Sequence, residues 1–119
     1  MEDDESVMDF MSLMVEREGF AVEKALDGEQ GLWKARNLSP DIILMDLMLP
    51  KFGGFNIIKE LQVEETVNIP VVIITGAAGE FSKEAELRKE PNVREFLRKP
   101  IDQPALAALM HALLNTRKA

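Results

Sequence analysis

Asp41-Ile42-Ile43-Leu44-Met45-Asp46 is the stretch that decides the fold. Four consecutive apolar residues between two aspartates suit a strand buried on both faces, the habit of parallel sheets. A second run of this kind follows in Pro70-Val71-Val72-Ile73-Ile74-Thr75. Between the two lie Pro50 and Gly53-Gly54, which punctuate a loop, and a helix at about 55–63 carrying Phe55, Ile58 and Leu61.

Upstream, residues 5–18 place Val7, Phe10, Met11, Met14 and Val15 at i, i+3, i+4, i+7 and i+8, one apolar stripe of a helix. Gly19 is its stop signal. Phe20 to Ala25 alternates apolar and polar, which predicts a short strand. Asp27-Gly28 is a turn that can cap a second helix at about 29–37, with Leu32, Trp33 and Ala35 as packing candidates. Ser39-Pro40 ends it. Downstream, Gly76 to Gly79 is a loop, 81–89 a highly charged helix and Arg94 to Arg98 a short strand with Phe96 and Leu97. Lys99-Pro100 stops that strand. A last helix at about 103–116 aligns Leu106, Leu109, Met110, Leu113 and Leu114. Alternating helices and strands predict a parallel sheet covered on both faces. The chain opens with a helix, where such a sheet normally opens with a strand that becomes central.

The 119 residues are read as one domain, 1–119. With 14 basic and 21 acidic residues the formal charge is −7, which disfavours direct contact with a phosphate backbone. There is no cysteine, hence no disulfide, thiolate metal site or thiol nucleophile, and one histidine cannot build a histidine metal cluster. No apolar run approaches the ~18 residues of a membrane span. No signal peptide is visible, so a cytoplasmic location is expected.

Ligands of open α/β sheets bind beyond the carboxyl ends of the strands. Asp46, Thr75 and Lys99 end the three later strands. Glu2, Asp3 and Asp4 stand just before the first helix, where a missing first strand would end. Carboxylates, one hydroxyl and one ammonium suit a phosphate-and-Mg2+ site, because Mg2+ takes oxygen ligands and a carboxylate can act as nucleophile toward phosphorus. No Gly-rich phosphate cradle is present, so ATP binding is not indicated. Each residue also has a plainer reading. Asp46 can cap a loop, Glu2-Asp3-Asp4 can favour a helix N-terminus, Thr75 is a β-former, Lys99 can be solvated, and Phe96 can be core.

The ordered set Glu2-Asp3-Asp4, Asp46-Leu47-Met48-Leu49-Pro50, Gly54, Thr75-Gly76 and Lys99-Pro100 resembles a response-regulator receiver domain of two-component signalling. The resemblance covers essentially the whole chain. It implies a flavodoxin-like doubly wound sheet of strand order 2-1-3-4-5, with the first strand missing or truncated here. It implies Asp46 as phosphoacceptor and Mg2+ held by Glu2, Asp3, Asp46 and the Met48 backbone carbonyl. Thr75 and Lys99 would contact the phosphoryl group, Thr75 and Phe96 would form the switch, and Met48 and Ala77 would flank the site. The Lys99–Pro100 bond would be cis. The implied partner is a histidine kinase or histidine phosphotransfer protein, and a homodimer through the fourth helix, fifth strand and fifth helix is common in the family. Such a domain is not an enzyme beyond its own phosphorylation and dephosphorylation. Gly53 stands where many members carry aspartate, and Asn92-Val93 replaces the usual Gly-Ala.

Two other functions fit parts of the pattern. The absent first strand, which would leave the acidic pair poorly anchored, argues for a phosphorylation-independent pseudo-receiver, and the complete set of site residues argues against it. A haloacid-dehalogenase-type phosphatase also uses a strand-end aspartate, but normally carries a second aspartate two residues on, where this chain has Met48. His111 falls off the last helix's apolar stripe and reads as a surface residue. The absent strand would lie between 20–25 and 41–46, and its loss would leave backbone groups unpaired and a gap in the core.

Overall fold

A computed structural model describes residues 1–47, 54–63, 65–76, 87–99 and 101–116. Its elements in chain order are α1 (Glu5–Arg17), α2 (Gly28–Leu38), β1 (Ile43–Asp46), α3 (Gly54–Glu60), β2 (Val71–Thr75), β3 (Val93–Arg98) and α4 (Gln103–Leu114). The helix expected over 81–89 lies mostly outside the described residues, as do the side chain of Phe55 and the Lys99–Pro100 bond.

The sheet is parallel, with order β1-β2-β3 among the described residues. Ile43 to Asp46 pair with Val71 to Ile74. Val72 to Thr75 pair with Glu95 to Arg98, after a register shift beside Val71. Val71 to Ile74 are wholly buried, which is why both runs lack polar alternation. Side chains alternate between two cores. Ile43, Met45, Leu47, Val71 and Ile73 meet α2 and α3 through Leu32, Ala35, Ile57, Ile58 and Leu61. Leu44, Ile74 and Leu97 meet α1 and α4 through Met11, Met14, Val15, Leu106 and Met110. Asn92 replaces a small residue at the entry to β3. Its backbone carbonyl accepts from Val71 N–H at 2.7 Å and its side chain accepts from Gln62 at 2.6 Å.

The helices begin where their caps dictate. Asp4 caps α1, accepting from the N–H groups of Ser6 at 2.9 Å and Val7 at 3.1 Å. Asp27 caps α2 through Gln30 N–H at 2.9 Å. Gly19 turns the chain after α1 with φ +94, a left-handed conformation that a Cβ would strain.

Three expectations are corrected. The buried stripe of α1 is Met8, Met11, Ser12 and Val15 with Met14, so Phe10 is 55% exposed. Met11, Met14 and Val15 are buried as expected, Val7 packs half-buried beside them, and Met8 and Ser12 complete the face in place of Phe10. Trp33 is 60% exposed and does not pack into the core; Leu32 and Ala35 do. Phe20 to Ala25 forms no strand. Its neighbour on the sheet side is only a two-residue stub. Glu2 N–H donates to Ala25 O at 3.0 Å, and Asp46 N–H donates to Met1 O at 3.0 Å. The Met1 ammonium donates to Leu44 O at 2.6 Å. Met1 and Glu2 thus bridge the segment 20–25 to β1, where the absent strand was expected.

Candidate functional site

The carboxyl ends of the strands bring the acidic residues and the lysine together. Asp46 closes β1, and its backbone is held by Met1 O on one side. On the other side Leu47 N–H donates to Ile74 O at 3.1 Å. Glu2 follows from the stub and Lys99 from the end of β3. Carboxylate oxygens of Glu2, Asp3 and Asp46 all lie within 4.8 Å of one another. Glu2 is 1% exposed and Asp46 5%, whereas Asp3 faces solvent. Asp4 is turned to helix capping, so the acidic triplet divides its work: Glu2 and Asp3 face the cluster and Asp4 starts α1.

Lys99 Nζ donates to Asp46 Oδ2 at 2.8 Å and sits 3.2 Å from Glu2 Oε2. Burial alone would lower the lysine pKa, but the hydrogen bond and charge of Asp46, then of Glu2, outweigh it and the pKa is raised. Burial raises the pKa of Glu2, and the Asp46 charge adds to this. The Asp4 N–H and Lys99 oppose it. The Lys99 ammonium therefore faces two buried carboxylates, with the exposed Asp3 carboxylate beside them. That charge imbalance, together with a buried Glu2 Oε2 lacking any well-formed hydrogen bond, is the donor set of a hard divalent cation. The residues fit Mg2+.

Thr75 ends β2 with 1% exposure, and its Oγ1 is buried without a hydrogen-bond partner. Its carbonyl accepts the Lys99 N–H at 2.8 Å, tying the two strand ends together. Phe96 lies opposite Ile73 in the register and packs, half-buried, against the core beside α2 and α3. Arg88 lies over its ring at 4.4 Å. Met48 and Ala77 lie outside the described residues. The sequence reading missed three contributors. Met1 positions Asp46 by backbone alone, and Arg88 reaches Phe96 across the fold; neither leaves a local motif. His111 is the third. It bridges Glu18 Oε1 at 3.0 Å and Thr116 Oγ1 at 2.8 Å and packs on Phe20, so the expected surface residue is half-buried and joins α4 to the end of α1.

The open parallel sheet thus gathers carboxylates, an ammonium and a hydroxyl at one edge. The chain belongs to the response regulator receiver domain family, which matches residues 1–111. It is 36% identical over 116 residues to the DNA-binding dual master transcriptional regulator RpaA of Synechocystis sp., covering 97% of this chain and 47% of that protein. Protein PilH of Pseudomonas aeruginosa is 34% identical over 115 residues, covering 96% of this chain and 93% of that one. The crystal structure of a response regulator receiver domain protein from Clostridium thermocellum superposes with a TM-score of 0.85 at 27% identity, covering 96% and 90% of the two chains. The chain spans about half the length of RpaA and of PhoP from Bacillus subtilis. It is a phosphoacceptor signalling domain of two-component systems with the open α/β receiver fold. Domains of this family receive phosphoryl groups from histidine kinases and bind Mg2+. Among the described residues no helix is long and apolar enough to cross a membrane.

Proposed function

We propose that residues 1–119 act as one receiver domain in which Asp46 is the phosphoacceptor. The observation that carries this is the Lys99–Asp46 contact inside the cluster of Glu2, Asp3 and Asp46. An Asp46 carboxylate oxygen attacks the phosphorus of a phosphohistidine on a kinase or phosphotransfer protein. The N–P bond breaks, the imidazole nitrogen takes a proton, and an acyl phosphate forms.

Glu2, Asp3, Asp46 and the Met48 carbonyl would hold Mg2+. When bound, it supplies positive charge to the phosphoryl oxygens. A receiver domain of the sensor histidine kinase PA1611 from Pseudomonas aeruginosa was solved with a magnesium ion in its active-site cleft. Lys99 pairs with a phosphoryl oxygen once Asp46 is esterified. The buried Thr75 hydroxyl has no competing partner to give up and turns to the same group. Phosphorylation adds roughly −1.5 to −2 charges. Movement of Thr75 frees space beside Phe96, and the face of β3 and α4, the fifth strand and fifth helix of the family pattern, changes by population shift. The same face is the proposed route of homodimerisation. The family pattern gives Met48 and Ala77, outside the described residues, as the flanking positions that would influence dephosphorylation. The chain catalyses no reaction beyond gaining and losing its own phosphoryl group. It works in the cytoplasm and makes no direct contact with nucleic acid.

Mg2+-dependent uptake of beryllofluoride at a 1:1 ratio tests the site; uptake independent of Mg2+ would contradict it. Thr75→Val separates switch from acceptor. It removes a buried, unpaired hydroxyl, so stability should stay within about 1 kcal/mol of the parent or rise. Beryllofluoride should still bind, but the chemical-shift change at Phe96 should be lost.

A further inference from the structure

The turn over residues 87–92, which leads into β3, is fastened to α3 and to β2. Leu87 is wholly buried. Glu90 N–H donates to Leu87 O at 3.0 Å, and Val93 N–H donates to Glu90 O at 3.2 Å. The Glu90 carboxylate accepts from Lys59 Nζ of α3 at 2.6 Å. Asn92 is buried and accepts from Gln62 Nε2 at 2.6 Å, and the same nitrogen donates to Ile58 O of α3 at 2.9 Å. Val71 N–H of β2 donates to Asn92 O at 2.7 Å.

Arg88 stands on this turn. It is exposed, and its guanidinium lies over the Phe96 ring, 4.4 Å from the centroid. Such a stack is held by the ring quadrupole and by the contact of two planar groups. The ring also packs against the core that contains Ile73 and Leu87. Ile73 is the ladder partner of Phe96. Ile73 and Thr75 point to the same side of β2 by strand alternation. Ring and hydroxyl therefore share one face of the sheet, a ladder step apart. The Thr75 hydroxyl is buried there without a hydrogen-bond partner.

We propose that Arg88 is a positioning residue of the switch: stacked on Phe96, it favours the ring position seen here over one turned toward Thr75. The proposal rests on the reading of Thr75 and Phe96 as the switch. A ring that moves toward Thr75 leaves the guanidinium behind. The turn that carries Arg88 cannot follow without giving up the burial of Leu87, the Lys59–Glu90 pair and the Gln62–Asn92 bond. The stack thus stabilises one of two arrangements and lowers the population of the other. By linkage it weakens the binding of any phosphoryl group or phosphoryl mimic that needs the second arrangement, by the same factor. The sign distinguishes this from plain charge. Loss of a positive charge weakens the attraction for an anion, whereas loss of the stack strengthens its binding.

The test measures beryllofluoride affinity in millimolar Mg2+ and the Phe96 ring resonances of the whole chain. Arg88→Gln should bind beryllofluoride about two- to fivefold more tightly than the parent. Without beryllofluoride, its Phe96 resonances should lie displaced from the parent's toward those of the saturated parent. In a Phe96→Leu background the same substitution should no longer tighten binding, because no ring is left to release. Equal or weaker affinity of Arg88→Gln, ring resonances that stay in place, or tightening that persists without the ring would each overturn the role of Arg88. The parent chain separates these results from failure of the switch itself. If it takes up no beryllofluoride, or if its Phe96 resonances stay fixed on saturation, the switch reading falls and the role of Arg88 falls with it.

Discussion

Asp46→Asn should abolish Mg2+-dependent phosphoryl uptake from a small phosphodonor, with loss of at least about 100-fold in rate. The amide cannot form an acyl phosphate, and it removes one of three carboxylates from the cation cluster. The variant should fold at least as well as the parent. Lys99 keeps its 3.2 Å contact with Glu2, and the repulsion that helps raise the Glu2 pKa disappears. Phosphoryl transfer and a denaturant midpoint, measured on the same sample, distinguish loss of the nucleophile from loss of the fold. Full uptake by a folded Asp46→Asn chain would refute Asp46 as acceptor.

Lys99→Met should give the largest loss of stability, about 3 kcal/mol at pH 7 without divalent cation. It leaves Glu2 and Asp46 buried side by side with no lysine between them, and the penalty is that of uncompensated buried charge. The pH dependence has a defined sign. Glu2 titrates above its ordinary 4.5 in the folded chain, so its favourable contribution is complete below that value and is lost as the pH rises through the raised one. Removing Lys99 takes away a group that held this pKa down, so the deficit should shrink on acidification. Millimolar Mg2+ should restore part of the stability at pH 7 by replacing the missing charge. Urea midpoints with and without Mg2+ at pH 5 and pH 7 measure both effects. A deficit that ignores both pH and Mg2+ would mean that Lys99 acts only by packing.

The strands that matter most to the site were legible because of their position in the sheet. Ile43–Asp46 and Val71–Thr75 are covered on both faces, so their apolar runs carry no helical alternative. Their terminal residues fall at the ligand edge by the geometry of open sheets. Phe20–Ala25 was misread because its alternation describes a half-buried strand, while strand formation needs a paired neighbour and only Met1 and Glu2 are there. Phe10 and Trp33 were misplaced because each lies at the edge of its helix's apolar stripe, next to a buried residue, Met11 and Leu32, and spacing alone does not say where a stripe's edge falls. The contacts of Arg88 with Phe96 and of His111 with Glu18 join residues distant in the chain, and no local signal encodes them.

The neighbours of each strand also set how the site moves. β2 has a full partner on either side and no exposed apolar residue, so its amides should be the last to exchange with solvent. Thr75 therefore sits on a strand that opens only when the whole domain does. The hydroxyl waits on a rigid bench, and the strands that end in Asp46 and beside Lys99 are both fastened to it.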